Sequence, residues 1–215
     1  VTPAGTGERS ITPPPAVVLA AAWLAGGVPF SQIAARRTRE VDLRHVGTGT
    51  VSGTGLYQVA GFGPLAVAGI ADVGKGALGV LLAGPDRPVL AALAGGLAVV
   101  GHNWSPFLRG AGGRGLSPSL GALLPRHWPG TVTLLAGMAG GRLARASAVG
   151  VLVADAALVP VLARARGRAG VWAGAAVLAP MLVKRLAGNR RPAESGPGVY
   201  LRRLVLDRDT WAPPA

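Results

Sequence analysis

Three segments of this chain combine residue types suited to holding an anion. The first, Gly47-Thr48-Gly49-Thr50-Val51-Ser52-Gly53-Thr54-Gly55, alternates glycines with hydroxyls. The second, Gly112-Gly113-Arg114-Gly115, sets a cation among glycines, and the third is the basic run Lys184-Arg185-Leu186-Ala187-Gly188-Asn189-Arg190. Glycine lets backbone N–H groups approach an anion, and a loop leading into a helix start favours negative charge. Hydroxyls add donors, and guanidinium forks match phosphate oxygens. Singly, each segment also reads as an ordinary interhelical turn, and alternating glycines are weak evidence. Together they point to a phosphate-bearing ligand. His102, Lys75 with Asp72, and Arg44 are further groups with usable chemistry.

The elements that must position these groups are apolar. The chain has 215 residues, half of them hydrophobic and 14% charged, with a mean hydropathy of +0.43. Soluble domains carry roughly 25% charged residues. Lys plus Arg is 22 against 9 acids, a net charge of +13, and the only lysines are Lys75 and Lys184. A basic excess on a polar chain would suggest nucleic acid; on an apolar one it suggests a membrane protein. There is no Cys and there are three His, which excludes disulfides and Cys-ligated metals and speaks against a multi-histidine site. No metal, cofactor or nucleic acid is expected.

A membrane-crossing helix needs about 20 mostly apolar residues. Residues 1–15 read as a flexible polar tail and 16–34 as a first span. A signal peptide is the rival reading of that run, but its length and the lack of a preceding basic region favour a retained helix. Further spans are expected at 63–82, 89–108, 116–124, 128–139, 147–163 and 171–187, the fourth and fifth short. The fold class is thus an all-α polytopic membrane protein of about seven helices. Arg36, Arg37, Arg39 and Arg44 after the first span, and the basic end of the chain including Arg190, Arg191, Arg202 and Arg203, place the N-terminus outside and the C-terminus in the cytoplasm. Residues 192–215 read as a cytoplasmic tail. Arg164, Arg166 and Arg168 conflict with this count, because they would lie outside. Asp72 and Lys75 sit three apart and can pair on one helical face, whereas Asp155 has no evident partner.

The blocks Trp23-Leu24-Ala25-Gly26-Gly27-Val28-Pro29-Phe30, Asp42-Leu43-Arg44-His45-Val46-Gly47-Thr48-Gly49, Asp72-Val73-Gly74-Lys75-Gly76 and Gly101-His102-Asn103-Trp104-Ser105-Pro106-Phe107-Leu108 occur in order, the last followed by Gly112-Gly113-Arg114-Gly115. Over residues 16–191 this pattern resembles the acyl-phosphate glycerol-3-phosphate acyltransferases, the PlsY family. The resemblance implies a bacterial plasma-membrane enzyme with its site facing the cytoplasm. Such an enzyme moves a fatty acyl group from acyl phosphate to the 1-hydroxyl of glycerol 3-phosphate, giving lysophosphatidic acid. Membrane lipids are its surroundings, and the oligomeric state is left open.

Carried over residue by residue, the resemblance makes Thr48 and His102 the catalytic candidates. Arg44, Gly47, Gly49, Thr50, Thr54, Lys75, Gly112, Gly113, Arg114, Gly115 and Arg185 become candidate phosphate or substrate contacts. The chain also departs from the pattern. Thr48 replaces a serine, Thr50 and Gly55 replace asparagines, and Gln58 replaces an arginine. Arg185-Leu186 is kept in the third motif, but Asn189 and Glu194 are out of register with it. A charge-assisted hydrogen bond is worth roughly 1.5–3 kcal/mol, so the arginine's loss costs about 10- to 100-fold in phosphate binding unless another cation substitutes. These departures keep open a diverged member that binds a phospho-ligand or lipid without this transfer, or acylates another acceptor. A small transporter is the weakest reading, since no inverted repeat is visible.

Overall fold

The structure is a computed structural model that describes residues 12–190, 192 and 196–207. The polar tail up to Ile11, and Arg191 and Glu194, lie outside the described residues. All regular elements among the described residues are helical. Among the described residues, three stretches are long and apolar enough to cross a membrane: Pro15–Arg39, Phe62–Leu82 and Ser147–Ala187. Large apolar side chains such as Ile70, Leu81, Val89, Val153 and Trp172 face outward, as a lipid-facing surface requires.

The first expected span is in fact two helices. Helix α1 (Pro15–Gly27) starts on a proline, whose missing N–H costs nothing in a first turn. It stops at Val28, which Pro29 forces into an extended conformation, and α2 (Phe30–Arg39) restarts after it. Helix α2 is amphipathic and ends with Arg36, Arg37 and Arg39 against its C-terminal dipole. The break leaves the Val28 carbonyl turned inward.

Helix α3 (Gly53–Ala60) is capped by the Ser52 hydroxyl, which accepts from Gly55 N at 3.2 Å. Helix α4 (Phe62–Leu82) runs antiparallel to α1, with Gly79 against Ala22 and Lys75 against Val28. Helix α5 (Pro88–Asn103) returns beside both. A Cβ at Gly79 would stand 3.0 Å from Ala94 of α5, so only glycine permits this approach. Helix α6 (Leu116–Leu123) is short, and α7 (Trp128–Leu143) follows it.

Helix α8 (Ser147–Ala187) holds the two last expected spans. At Gly167 the backbone takes φ 58° and ψ −143°, which a residue with a Cβ rarely adopts, and the chain folds back on itself. Gly174 packs on Val159 and Leu162, and Arg185 reaches Ala148. Each arm, 147–166 and 168–187, is about 30 Å long, enough to cross a bilayer. The second arm runs parallel to α5, with Gly96 against Ala176 and Asn103 donating to Pro180 O at 2.8 Å. The ends of α1, α5, α7 and α8 therefore gather at one end of the bundle. Arg164, Arg166 and Arg168 lie at the Gly167 turn, the opposite end.

One core, including Val18, Val99, Leu123, Leu158, Leu162 and Val177, fills the bundle. A second, Ala35, Leu43, Val51, Leu56, Ala68 and Leu108, lies beneath the loops at the gathered end. The segment expected as a C-terminal tail carries α9 (Pro197–Leu206), and its Arg203 donates to the carbonyls of Leu186, Ala187 and Arg190 at 2.7–3.0 Å.

Candidate active site

The site starts from one turn of α4. Asp72 and Lys75 pair at 2.7 Å, as their spacing predicts, both almost fully buried. Burying two charges is costly, and further polar contacts must offset it. Lys75 obtains one at the α1–α2 break, where it donates to Val28 O at 2.7 Å. The last turn of α5 brings His102 alongside, with Nδ1 3.8 Å from Asp72 Oδ1.

The Gly112–Gly115 loop closes over the ring. Gly113 N donates to His102 O at 3.1 Å. A Cβ on Gly113 would run into His102 Nε2 and stand 2.9 Å from Val51 O, so the glycine is what admits the imidazole. His102, Asp72, Lys75, Val28, Phe30 and Ser105 line a cleft beneath the loop, with space of about 10 Å³, room for one water.

Asn189 ties the three sequence segments together. Its side-chain amide accepts from Gly112 N at 3.2 Å and donates to Gly112 O at 2.9 Å and Thr50 Oγ1 at 3.3 Å. Thr48 Oγ1 donates to Thr50 Oγ1 at 2.9 Å, and Val51 N donates to Gly112 O at 3.1 Å. Arg190 donates to Arg44 O at 2.9 Å. The N–H groups of Gly112 and Gly113 are thus engaged in holding the loops together. Asn189→Ala should lower activity about 10- to 100-fold through loss of this junction. Initial-rate assays with a thermal-melt control check it, and a variant with unchanged rate would show the loops are held without the amide.

The sequence-predicted residues divide. Lys75, His102, Gly112 and Gly113 line one cleft. Thr48, Thr50 and Gly49 belong to the adjoining loop and connect to it through Asn189. Gly115, at φ 82°, starts α6 beside the Asn103 side chain. Gly47 and Thr54 are exposed.

All four candidate cations meet carboxylates, Lys75 at Asp72 as described above. Arg44 forms a two-pronged pair with Asp42, down to 2.7 Å, and Arg36 joins it at 2.8 Å. The hydrogen bonds from Arg44, with help from Arg36, hold the Asp42 carboxyl well below the usual carboxylate range. Arg114 pairs with Asp207 beyond the end of α9 at 2.9 Å and donates to Lys184 O at 2.9 Å. Arg185 points into the α8 hairpin, 3.8 Å from Asp155 and donating to Ala148 O at 2.6 Å. Asp155, which has no evident partner in the sequence, has one in space.

Sequence reasoning did not pick out Asn189 as the junction or Ser105, whose hydroxyl donates to Gly27 O at 2.6 Å, and it took Lys184 only as part of the third basic run. For Lys184 a signal existed. It is one of only two lysines in an arginine-rich chain, and the other is Lys75.

The family description "Glycerol-3-phosphate acyltransferase" matches residues 16–191. The chain belongs to the glycerol-3-phosphate acyltransferase family. Relatives bearing that name include one from Synechococcus, 35% identical over 170 residues, covering 78% of this chain and 84% of the relative. Another, from Dehalococcoides mccartyi, is 31% identical over 206 residues and covers 90% and 88%. A third, from Gloeobacter violaceus, is 38% identical over 125 residues, and the match spans 55% of this chain and 61% of the relative. The fold is similar to crystal structures of PlsY, an integral membrane glycerol 3-phosphate acyltransferase. Its glycerol 3-phosphate form has a TM-score of 0.72 at 20% identity, covering 80% of this chain and 88% of that one. Its lysophosphatidic acid form gives 0.70 at 17%, covering 80% and 87%. This glycerol-3-phosphate acyltransferase family member is thus a membrane protein whose regular elements, among the described residues, are all helices. Its α9 lies outside the matched residues, yet the residue that ends it, Asp207, pairs with Arg114.

Proposed function

We propose that this chain transfers a fatty acyl group from acyl phosphate to the 1-hydroxyl of glycerol 3-phosphate, releasing lysophosphatidic acid and phosphate. The observation that carries this reading is the burial of His102 beside Asp72 and Lys75, under the glycine loop that Asn189 binds to the threonine loop. Acyl phosphate is already activated, so the protein needs to orient the hydroxyl, hold two phosphates and offset developing charge. His102, with the Asp72 carboxylate 3.8 Å from its Nδ1, takes the hydroxyl proton as oxygen attacks the acyl carbon. The C–O bond to phosphate breaks, and phosphate leaves with its electron pair. Lys75 and Arg114 supply positive charge. Thr48 orients substrate through the Thr50 hydroxyl chain.

In this reading seven segments cross the membrane: α1, α4, α5, the short α6, α7 and the two arms of α8. The N-terminus lies outside, and the site faces the cytoplasm of a bacterial plasma membrane. The arginines support it. Arg36, Arg37, Arg39, Arg44, Arg109, Arg142, Arg145 and Arg202 belong to the end that carries the site, outnumbering Arg87, Arg126, Arg164, Arg166 and Arg168 at the other.

A second reading has its own observation. The carboxylates on Arg44, Arg114 and Arg185 already neutralise three candidate phosphate ligands, as a member without this transfer would permit. Membranes containing the protein, supplied with acyl phosphate and glycerol 3-phosphate, are expected to form lysophosphatidic acid above an empty-membrane control. No excess product overturns the first reading and favours the second. Acyl-coenzyme A in place of acyl phosphate tests the donor.

A further inference from the structure

The charges around His102 do not balance. Lys75 is matched by Asp72 at 2.7 Å, and Arg114 by Asp207 at 2.9 Å. Lys184, in the last turn of the second α8 arm, is with Lys75 one of two cations whose charge bears on the ring, and it lies close enough to Arg114 for their charges to interact. Its side chain is among the most buried in the protein, at 1% exposure. Among the described residues no carboxylate lies within ion-pair distance of it. Its ammonium sits 5.1 Å from the Trp104 ring, a cation–π contact that supplies no hydrogen-bond acceptor. Buried lysines are rare unless paired, because an ammonium out of water needs acceptors for its three N–H groups. Trp104 directly follows the α5 turn that carries His102 and Asn103, and five residues beyond Lys184 stands Asn189, which holds the glycine loop.

We propose that Lys184 binds a phosphoryl oxygen of a substrate, with Trp104 positioning the ammonium until the anion arrives. This deepens the acyltransfer reading and rests on it for the identity of the anion. The shared chemistry is a phosphate group, carried either by glycerol 3-phosphate or by acyl phosphate. Lysine suits a site that must release product, since it offers a point charge rather than a rigid two-pronged clamp.

Two measurements test this. The first uses the unaltered protein in detergent or nanodiscs. Lys184 and Lys75 are its only lysines, so an amine-acylating reagent followed by mass spectrometry reads Lys184 on its own peptide. Inorganic phosphate should slow Lys184 labelling, and chloride at equal ionic strength should not. The second compares Lys184→Met, which suits a buried site, with Lys184→Arg. The methionine variant should raise the KM for one phosphorylated substrate about tenfold or more, with kcat little changed, and arginine should rescue it. Which KM rises tells which substrate's phosphate is held. Labelling unaffected by phosphate, or Lys184→Met with both KM values unchanged, overturns the proposal and leaves Lys184 a structural partner of Trp104. If Lys184→Met does not fold, the labelling result decides. Phosphate protection of Lys184 in a protein that makes no lysophosphatidic acid would sink the acyltransfer reading and leave this phosphate site standing.

Discussion

Gly113→Ala is expected to cut acyl transfer by about 100-fold or more, with the protein still folded. The added methyl cannot coexist with His102 Nε2 where the ring now lies, and Val51 O, 2.9 Å away, blocks escape on the other side. The residue is not in the left-handed region, so the backbone tolerates alanine and the clash falls on the imidazole. In the mechanism proposed above the ring is the general base, and displacing one costs roughly 10²- to 10⁴-fold in rate. The decisive comparison is with His102→Ala. If Gly113→Ala acts through the ring, the double variant should be no worse than His102→Ala alone. Initial rates in membranes, with thermal melting as a folding control, measure this. A Gly113→Ala protein retaining more than about a tenth of the wild-type rate would remove His102 from the reacting centre.

The largest stability effect is expected at Asp155→Leu. Asp155 and Arg185 are nearly sealed from solvent inside the α8 hairpin, 3.8 Å apart. Removing one member of a buried pair leaves the other uncompensated, at a cost of about 3–5 kcal/mol. Replacing both with apolar residues removes that penalty. Asp155→Leu should therefore lower unfolding stability in lipid bicelles by that amount, and Asp155→Leu with Arg185→Met should recover most of it. A single variant less than about 1 kcal/mol weaker than wild type would show that the pair does not hold the hairpin. Activity should follow stability, because the second arm, which Asp155 holds through Arg185, carries Lys184 and leads to Asn189.

The helices were legible where apolar runs end at glycine, proline or arginine. The expected 63–82 agrees with Phe62–Leu82 within a residue, and the starts expected at 116, 128 and 147 are observed. The expected first span overruns the end of α1 because hydropathy stays high across Val28-Pro29, although the proline signals a break. Lys75, His102, Gly112 and Gly113 were legible because they fall in compact motifs that converge on one cleft. The partners of the arginines were harder. Asp42 lies only two residues from Arg44, yet their pairing is not among the expectations drawn from the sequence. Asp207 is far from Arg114 in sequence, and only the return of α9 brings them together. Periodicity describes one helix at a time, so pairings created by packing between distant helices leave no local pattern.

The return of α9 also bears on how far this protein is modular. The family match ends at residue 191, but a carboxylate at the site comes from residue 207. Arg203 adds donors to the last carbonyls of α8, beside the asparagine that joins the loops. A graft of residues 16–191 onto another tail would therefore alter the charge around Arg114 without changing any matched residue. The boundary that separates family from extension in the sequence runs through an ion pair in space.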